Sequence, residues 1–223
     1  MEKVIAVFDL EGTLFVRSNY FLSEIRNVRV RGITQAVISY ISLFVIFICF
    51  KIHIINELTM RTMTFKRMVA LIKDSKDKDI AEKAIVFASR YKNLLRPEMS
   101  LALKERKTKG HITILFSGML QPYLKAIKQE LGIDIAKGTE LEIKDGCYTG
   151  RIDAAPYFGE RRAQALGELI DKLDYKINLS ASFAYGDAML DNFFMGMVGN
   201  PVAVYPDKKL EKYARQHGWR INQ

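Results

Sequence analysis

Cysteine is nearly missing from this chain. Cys49 and Cys147 are the only two in 223 residues. They form no CxxC and no disulfide framework, so a reducing compartment, the cytoplasm, is expected. Histidine is scarce too: His53, His111 and His217 stand far apart, without the spacing of a metal site. The apolar run near the start, residues 4–8, is too short for the core of a secretory signal, so no leader is expected there. There is no internal repeat and no low-complexity tract. Charge is absent altogether from residues 33–50, although the whole chain carries +9.

What is present points to a folded domain. Hydrophobic residues make up 49% of the chain, which supports a substantial core and excludes a disordered composition. The positive balance favours anionic partners: phosphorylated small molecules, nucleic acid or anionic lipid. The basic residues are dispersed and carry no nucleic-acid-binding motif, so nucleic acid is not expected as a partner.

Residues 4–8, VIAVF, are a short β-branched run suited to a central parallel strand buried on both faces. The run ends in Asp9-Leu10-Glu11-Gly12-Thr13-Leu14, at the carboxyl end of the strand, where open α/β sheets bind ligands. Residues 16–97 have a helical pattern with few glycines, and Arg96-Pro97 marks the way out. An α/β rhythm then returns. Helices are expected over 101–108, 122–131, 161–173 and 210–217, and strands over 111–116, 179–185 and 202–205. Asp145-Gly146 signals a hairpin within 140–152. The expected fold is α/β: a Rossmann-like parallel-sheet core from residues 1–15 and 98–223, with an inserted α-helical cap at 16–97.

Three strand ends carry complementary chemistry: Asp9 and Glu11, then Ser117, then Asp187 and Asp191. In a parallel sheet these ends share one edge and can converge. Clustered carboxylates repel unless a cation lies among them, and hard oxygen ligands at a phosphate-processing site suit Mg²⁺. A carboxylate is also a sensible nucleophile, because it yields an acyl phosphate that water can hydrolyse.

These motifs resemble the haloacid dehalogenase superfamily, in its phosphoserine-phosphatase-like branch with a helical cap. VIAVFDLEGTL (residues 4–14) is similar to the first motif, ITILFSG (112–118) to the second and YGDAMLD (185–191) to the fourth. The resemblance implies Asp9 as nucleophile and Glu11 as general acid/base, in a place the family usually fills with aspartate. It implies Ser117 and Gly118 as phosphoryl-binding residues. It implies metal coordination by Asp9, by Asp187, by Asp191 directly or through water, and at position 11 through the backbone carbonyl. Gly159-Glu160-Arg161-Arg162 stands at the third motif, with Arg162 in place of the lysine. The implied activity is Mg²⁺-dependent hydrolysis of a phosphorylated small molecule or a lipid phosphate through an aspartyl-phosphate. Glu11 and Arg162 depart from the family pattern and support an alternative: a catalytically weak or inactive relative that binds phosphorylated ligands or a membrane surface. Ser18, with Asn19 beside it, replaces the glutamate that helps phosphoserine phosphatases bind the substrate amine, which disfavours phosphoserine.

The uncharged stretch 33–50 is nearly long enough to cross a bilayer core. Arg26, Arg29 and Arg31 precede it and Lys51 follows. A single crossing would separate Asp9 from Ser117 and Asp187, so the stretch must be buried in the cap, turn back on itself, or lie on a membrane. Peripheral membrane contact through residues 33–55 is the second of two readings, behind burial in the cap.

Overall fold

In a computed structural model of the chain, residues 2–17, 33–153 and 156–223 are described. Ser18 and Asn19, and the arginines at 26, 29 and 31, lie outside them.

The core is a six-stranded, wholly parallel sheet in the order β3-β2-β1-β6-β7-β8. Its strands are β1 (Ile5–Phe8), β2 (Ile112–Leu120), β3 (Ile135–Thr139), β6 (Phe183–Gly186), β7 (Asn200–Val204) and β8 (Arg220–Asn222). β1 lies in the middle and is buried throughout, as its unbroken apolar run requires. Ile5 and Val7 face one layer, with Ile114, Phe116, Leu166 and Phe194. Ala6 and Phe8 face the other, with Leu115, Tyr185 and Val204. Phe8 and Tyr185 stack across neighbouring strands at 4.5 Å. The strand order runs outward from β1 in both directions, so a crevice opens at the carboxyl end of β1.

The edge strands β3 and β8 were not among the strands expected from the sequence. Their sequences, IAKGT and RIN, are short and partly polar. β2 is longer than expected: it runs through Ser117 and Gly118, with a register shift between Phe116 and Leu120. The next helix begins at Gln121, within one residue of the expected start.

Between β1 and β2 lie α1 (Ile33–Lys51), α2 (Glu57–Ala70) and α3 (Asp77–Tyr91). Asn56 caps α2 through its Oδ1, which accepts from the Thr59 N–H at 2.9 Å. α3 buries Ile80, Ala84, Phe87, Ala88 and Tyr91, a helical stripe, and packs on α5 (Gln121–Leu131). Phe87 meets Tyr123 of α5 edge-on at 5.2 Å. Phe65, Met68 and Phe87 share one apolar cluster with Leu10, Leu14 and Leu120, so the helical stretch and the sheet face are joined by a continuous core. α4 (Pro97–Thr108) starts at the expected Arg96-Pro97 exit, with proline in the first turn.

The antiparallel pair β4 (Leu141–Lys144) and β5 (Cys147–Ile152) is the hairpin expected at Asp145-Gly146. Both turn residues have positive φ, 51° and 74°, as a two-residue turn matched to strand twist requires. The hairpin ties back to the helices: the Tyr148 hydroxyl donates to Asp77 Oδ1 at 2.5 Å, and Cys147 bridges to Lys76. The remaining helices are α6 (Glu160–Ile170), α7 (Asn192–Met195) and α8 (Lys208–Gln216). Among the described residues no helix is long and apolar enough to cross a membrane.

Candidate active site

Asp9 is the first residue after β1, and its N–H donates to the Tyr185 carbonyl at 3.0 Å, fixing it beside the end of β6. Asp187 follows β6 directly, and Asp191 closes the short 3₁₀ turn Met189–Asp191. Asp191 Oδ2 accepts from the N–H groups of Asp187 and Ala188, each at 3.1 Å, so the loop holds its own carboxylate in place. Asp9, Asp187 and Asp191 are all buried and offer oxygens lying within 4.8 Å of one another. The approach is close enough to dictate a glycine. Gly12 has φ +91°, and a Cβ there would fall 2.1 Å from Asp187 Oδ2.

Enclosing three carboxylates penalises their charged forms. Burial pushes Asp9 up to about 8; Arg162 opposes the rise, while Asp191 and Asp187 add to it. Burial, then Asp191, pushes Asp187 up to about 7. A divalent cation among the three would relieve that cost, and an all-oxygen donor set fits a hard ion. Glu11 lends no carboxylate to this cluster. It opens to the cleft alongside, and the protein packed around the cleft, with Asp9, raises its carboxyl to about 7.

Arg162 stands in the first turn of α6, after Gly159, whose φ of +53° turns the chain into the helix. Its Nη2 donates to Asp9 Oδ1 at 2.7 Å and its Nη1 to Asp191 Oδ1 at 2.6 Å. Nη2 also meets the Phe116 carbonyl. The guanidinium lies over the Phe194 ring, 4.3 Å from its centroid. Arg161 instead pairs with Glu168 at 2.7 Å on the outside. Of the two adjacent arginines, Arg162 is the one brought to the carboxylates.

Ser117 is buried at the cleft, and its Oγ accepts from the Met119 N–H at 3.3 Å. Three residues separate it from the start of α5 at Gln121, so the local N–H groups belong to the irregular end of β2 rather than to a helix mouth. Gly118 packs against Phe158; a Cβ there would meet its ring at 2.4 Å.

The sequence singled out neither Arg17 nor Arg61. Arg17 Nη2 pairs with Asp187 Oδ2 at 2.6 Å, and Arg61 reaches the same cleft from α2. The cleft, of about 500 Å³, continues from the carboxylates to an apolar wall that includes Met60, Phe65, Met68 and Phe158. These residues belong to no motif, and only the helical periodicity of α2 hints that several share a face. A roomier groove of about 940 Å³ lies near Arg106, Phe183 and Trp219, without the converging carboxylates.

The profile of the haloacid dehalogenase-like hydrolase family matches residues 6–194. The chain belongs to this family. It is 31% identical over 129 residues to the inhibition of morphological differentiation protein of Streptomyces azureus, a match covering 57% of this chain and 46% of that protein. It is 36% identical over 95 residues to phosphoserine phosphatase SerB1 of Mycobacterium tuberculosis, covering 43% of this chain and 30% of the relative. These matches span less than half of the length of either relative. In fold it is similar to a protein of unknown function from Bordetella pertussis, with a TM-score of 0.82 and 20% identity, covering 100% of this chain and 99% of the other. A phosphoserine phosphatase captured as a phospho-aspartyl intermediate analogue gives a TM-score of 0.65 at 21% identity, covering 100% of this chain and 93% of the other. The HAD-like architecture read from the motifs is thus the observed one.

Proposed function

We propose that this HAD-family chain is a phosphatase that hydrolyses phosphate monoesters through a phosphorylated Asp9. The observation that carries the proposal is the meeting of three buried carboxylates with one buried guanidinium, at the carboxyl edge of a parallel sheet. Asp9, Asp187 and Asp191 would hold Mg²⁺, with the backbone of Glu11 as a further ligand. The ion would supply positive charge against the phosphoryl oxygens.

The chain's own residues have the following work. Arg162 binds phosphoryl oxygens and offsets the charge of Asp9, with Ser117 Oγ and the N–H of Gly118 as further donors. An Asp9 oxygen attacks phosphorus as the bond to the leaving oxygen breaks, and Glu11 gives its proton to that oxygen. Glu11, now ionised, accepts a proton from the water that attacks the acyl phosphate. Inorganic phosphate leaves and both carboxylates return to their starting states. A Glu11 carboxyl raised to about 7 suits both proton transfers near neutral pH. Residues 16–97 act as a cap whose α2 faces the cleft, and a small or a lipid phosphate is the substrate.

Phosphate release from p-nitrophenyl phosphate, with Mg²⁺ and with excess chelator, tests the proposal. Metal-dependent turnover in the wild type and loss of about 10³-fold or more in Asp9→Asn are expected. Turnover that survives Asp9→Asn would overturn it.

A further inference from the structure

Among its described side chains, α1 keeps little of its surface inside the protein. Ile46 is buried, and Ser42, Leu43, Cys49 and Phe50 are half-buried; this narrow stripe is the seam by which it meets the rest of the chain. α1 packs on α2. Away from the seam the helix is apolar and open to water: Ile38 is 60% exposed, Ile41 58% and Phe44 65%, with Val45, Phe47 and Ile48 beside them. The apolar surface continues past the helix end through Ile52 and Ile54. An exposed apolar surface of this extent marks a place where something else binds.

Resting on the phosphatase reading above, we propose that α1 lies on an anionic membrane surface and that the cleft takes amphiphilic phosphate monoesters from it. Charge complementarity favours a membrane. Residues 25–56 contain no acidic residue, while Arg26, Arg29, Arg31 and Lys51 bracket the uncharged run. An apolar run with basic residues before and after it in the chain suits the acyl and headgroup layers of an anionic bilayer. Pairing two copies through this face would instead bring together two stretches of the same sign.

The cleft agrees with this occupant. α2, the helix that supports α1, sends Met60, Phe65 and Met68 into the cleft beside the carboxylates. Leu58 and Phe193, both partly open to solvent, flank Gly159 beside it. A headgroup phosphate can reach Asp9 while the attached chain stays against apolar side chains. Arg17 and Arg61, on the same cleft, suit a headgroup bearing further negative charge.

Vesicle flotation tests the docking. Wild-type protein is mixed at low salt with phosphatidylglycerol-rich vesicles or with pure phosphatidylcholine vesicles. The variant Ile41→Glu/Phe44→Glu/Ile48→Glu, altered only on the open face, is run in parallel. Hydrolysis of soluble p-nitrophenyl phosphate checks that the variant is folded, and sedimentation velocity reads self-association. The wild type should float with the anionic vesicles, and the variant at least tenfold less. p-Nitrophenyl phosphate turnover should be equal in the two, whereas hydrolysis of a long-chain alkyl phosphate held in the vesicles should fall at least tenfold in the variant. Wild type that stays out of the anionic vesicles, or a dimer that the variant splits without any vesicle binding, overturns the docking while leaving the phosphatase reading in place. Flotation without phosphate release from any ester overturns the phosphatase reading and the substrate class built on it.

Discussion

Arg17 and Asp187, 170 positions apart in the chain, meet at 2.6 Å at the cleft. Asp187 is buried, while the arginine side chain is 59% exposed. A divalent ion shared by the carboxylates would compete with this guanidinium for Asp187. Removing the competitor in Arg17→Ala should tighten Mg²⁺ binding modestly, by up to about fivefold, the scale of a pair partly screened by water. Titration of the thermal midpoint with Mg²⁺ measures it. An unchanged or weaker affinity would show that Arg17 does not compete with the ion.

Arg162 is the only cation with hydrogen bonds to both Asp9 and Asp191 among the described residues. In Arg162→Ala, phosphate release should fall by about 10²-fold or more, as for loss of a donor to transition-state charge. Arg162→Lys should recover part of that loss, because an ammonium restores the charge but not the two-pronged geometry. Steady-state kinetics of the two variants against wild type decide it; equal rates in all three would remove Arg162 from the site's chemistry.

Without metal, stability should depend on pH in an unusual direction. The carboxyls of Asp9 and Asp187 are raised when folded, to about 8 and about 7, from an ordinary 3.8. Between about pH 4 and 8 the folded state therefore binds more protons than the unfolded chain, and stability falls as pH rises through that window. Below it both states are protonated and the effect vanishes. Thermal unfolding in chelator should show the midpoint dropping from pH 5 to pH 8, and excess Mg²⁺ should flatten the slope. A midpoint that climbs over the same range in chelator would contradict the assignment.

Tyr148 fastens the β4–β5 hairpin to α3 through Asp77. Tyr148→Phe keeps the ring in the core and deletes that bond, so a loss of about 1–3 kcal/mol is expected, the scale for a bond to a charged partner. The turnover number on p-nitrophenyl phosphate should not change. Urea unfolding and kinetics together check this; a large kinetic effect would mean that the hairpin controls the geometry of the cleft.

How far the sequence could be read depended on how local each signal was. The run VIAVF and the strings brought together toward the carboxyl ends of β1, β2 and β6 are legible because each is short and its pattern is set by its neighbours. So is Asp145-Gly146, whose turn demands two positive φ values. β3 and β8 escaped because IAKGT and RIN are held by their neighbours in the sheet rather than by apolar content. The end of β2 is not legible, since Ser117 and Gly118 look like loop residues while the ladder to β3 resumes at Leu120. Arg17, Arg61 and the apolar wall of the cleft depend on contacts between distant segments and carry no spacing rule. For the run from 33 to 50, composition is legible in the sequence, but how little of residues 40–50 is covered is not.

The position of β1 has a consequence for biosynthesis. Ile5–Phe8 lies inside the sheet but precedes both of its partners in the chain: β2 and β6 arrive only when residues 112–120 and 183–186 have been translated. At about 5–20 residues per second, Ile5–Phe8 waits on the order of ten seconds or more without its second neighbour. During that interval at least one edge of the strand has no partner, and Asp9 lacks the two carboxylates that follow β6. The carboxylate cluster can therefore close only after Asp191 is made, and a chain cut before Phe183 would leave one edge of β1 bare.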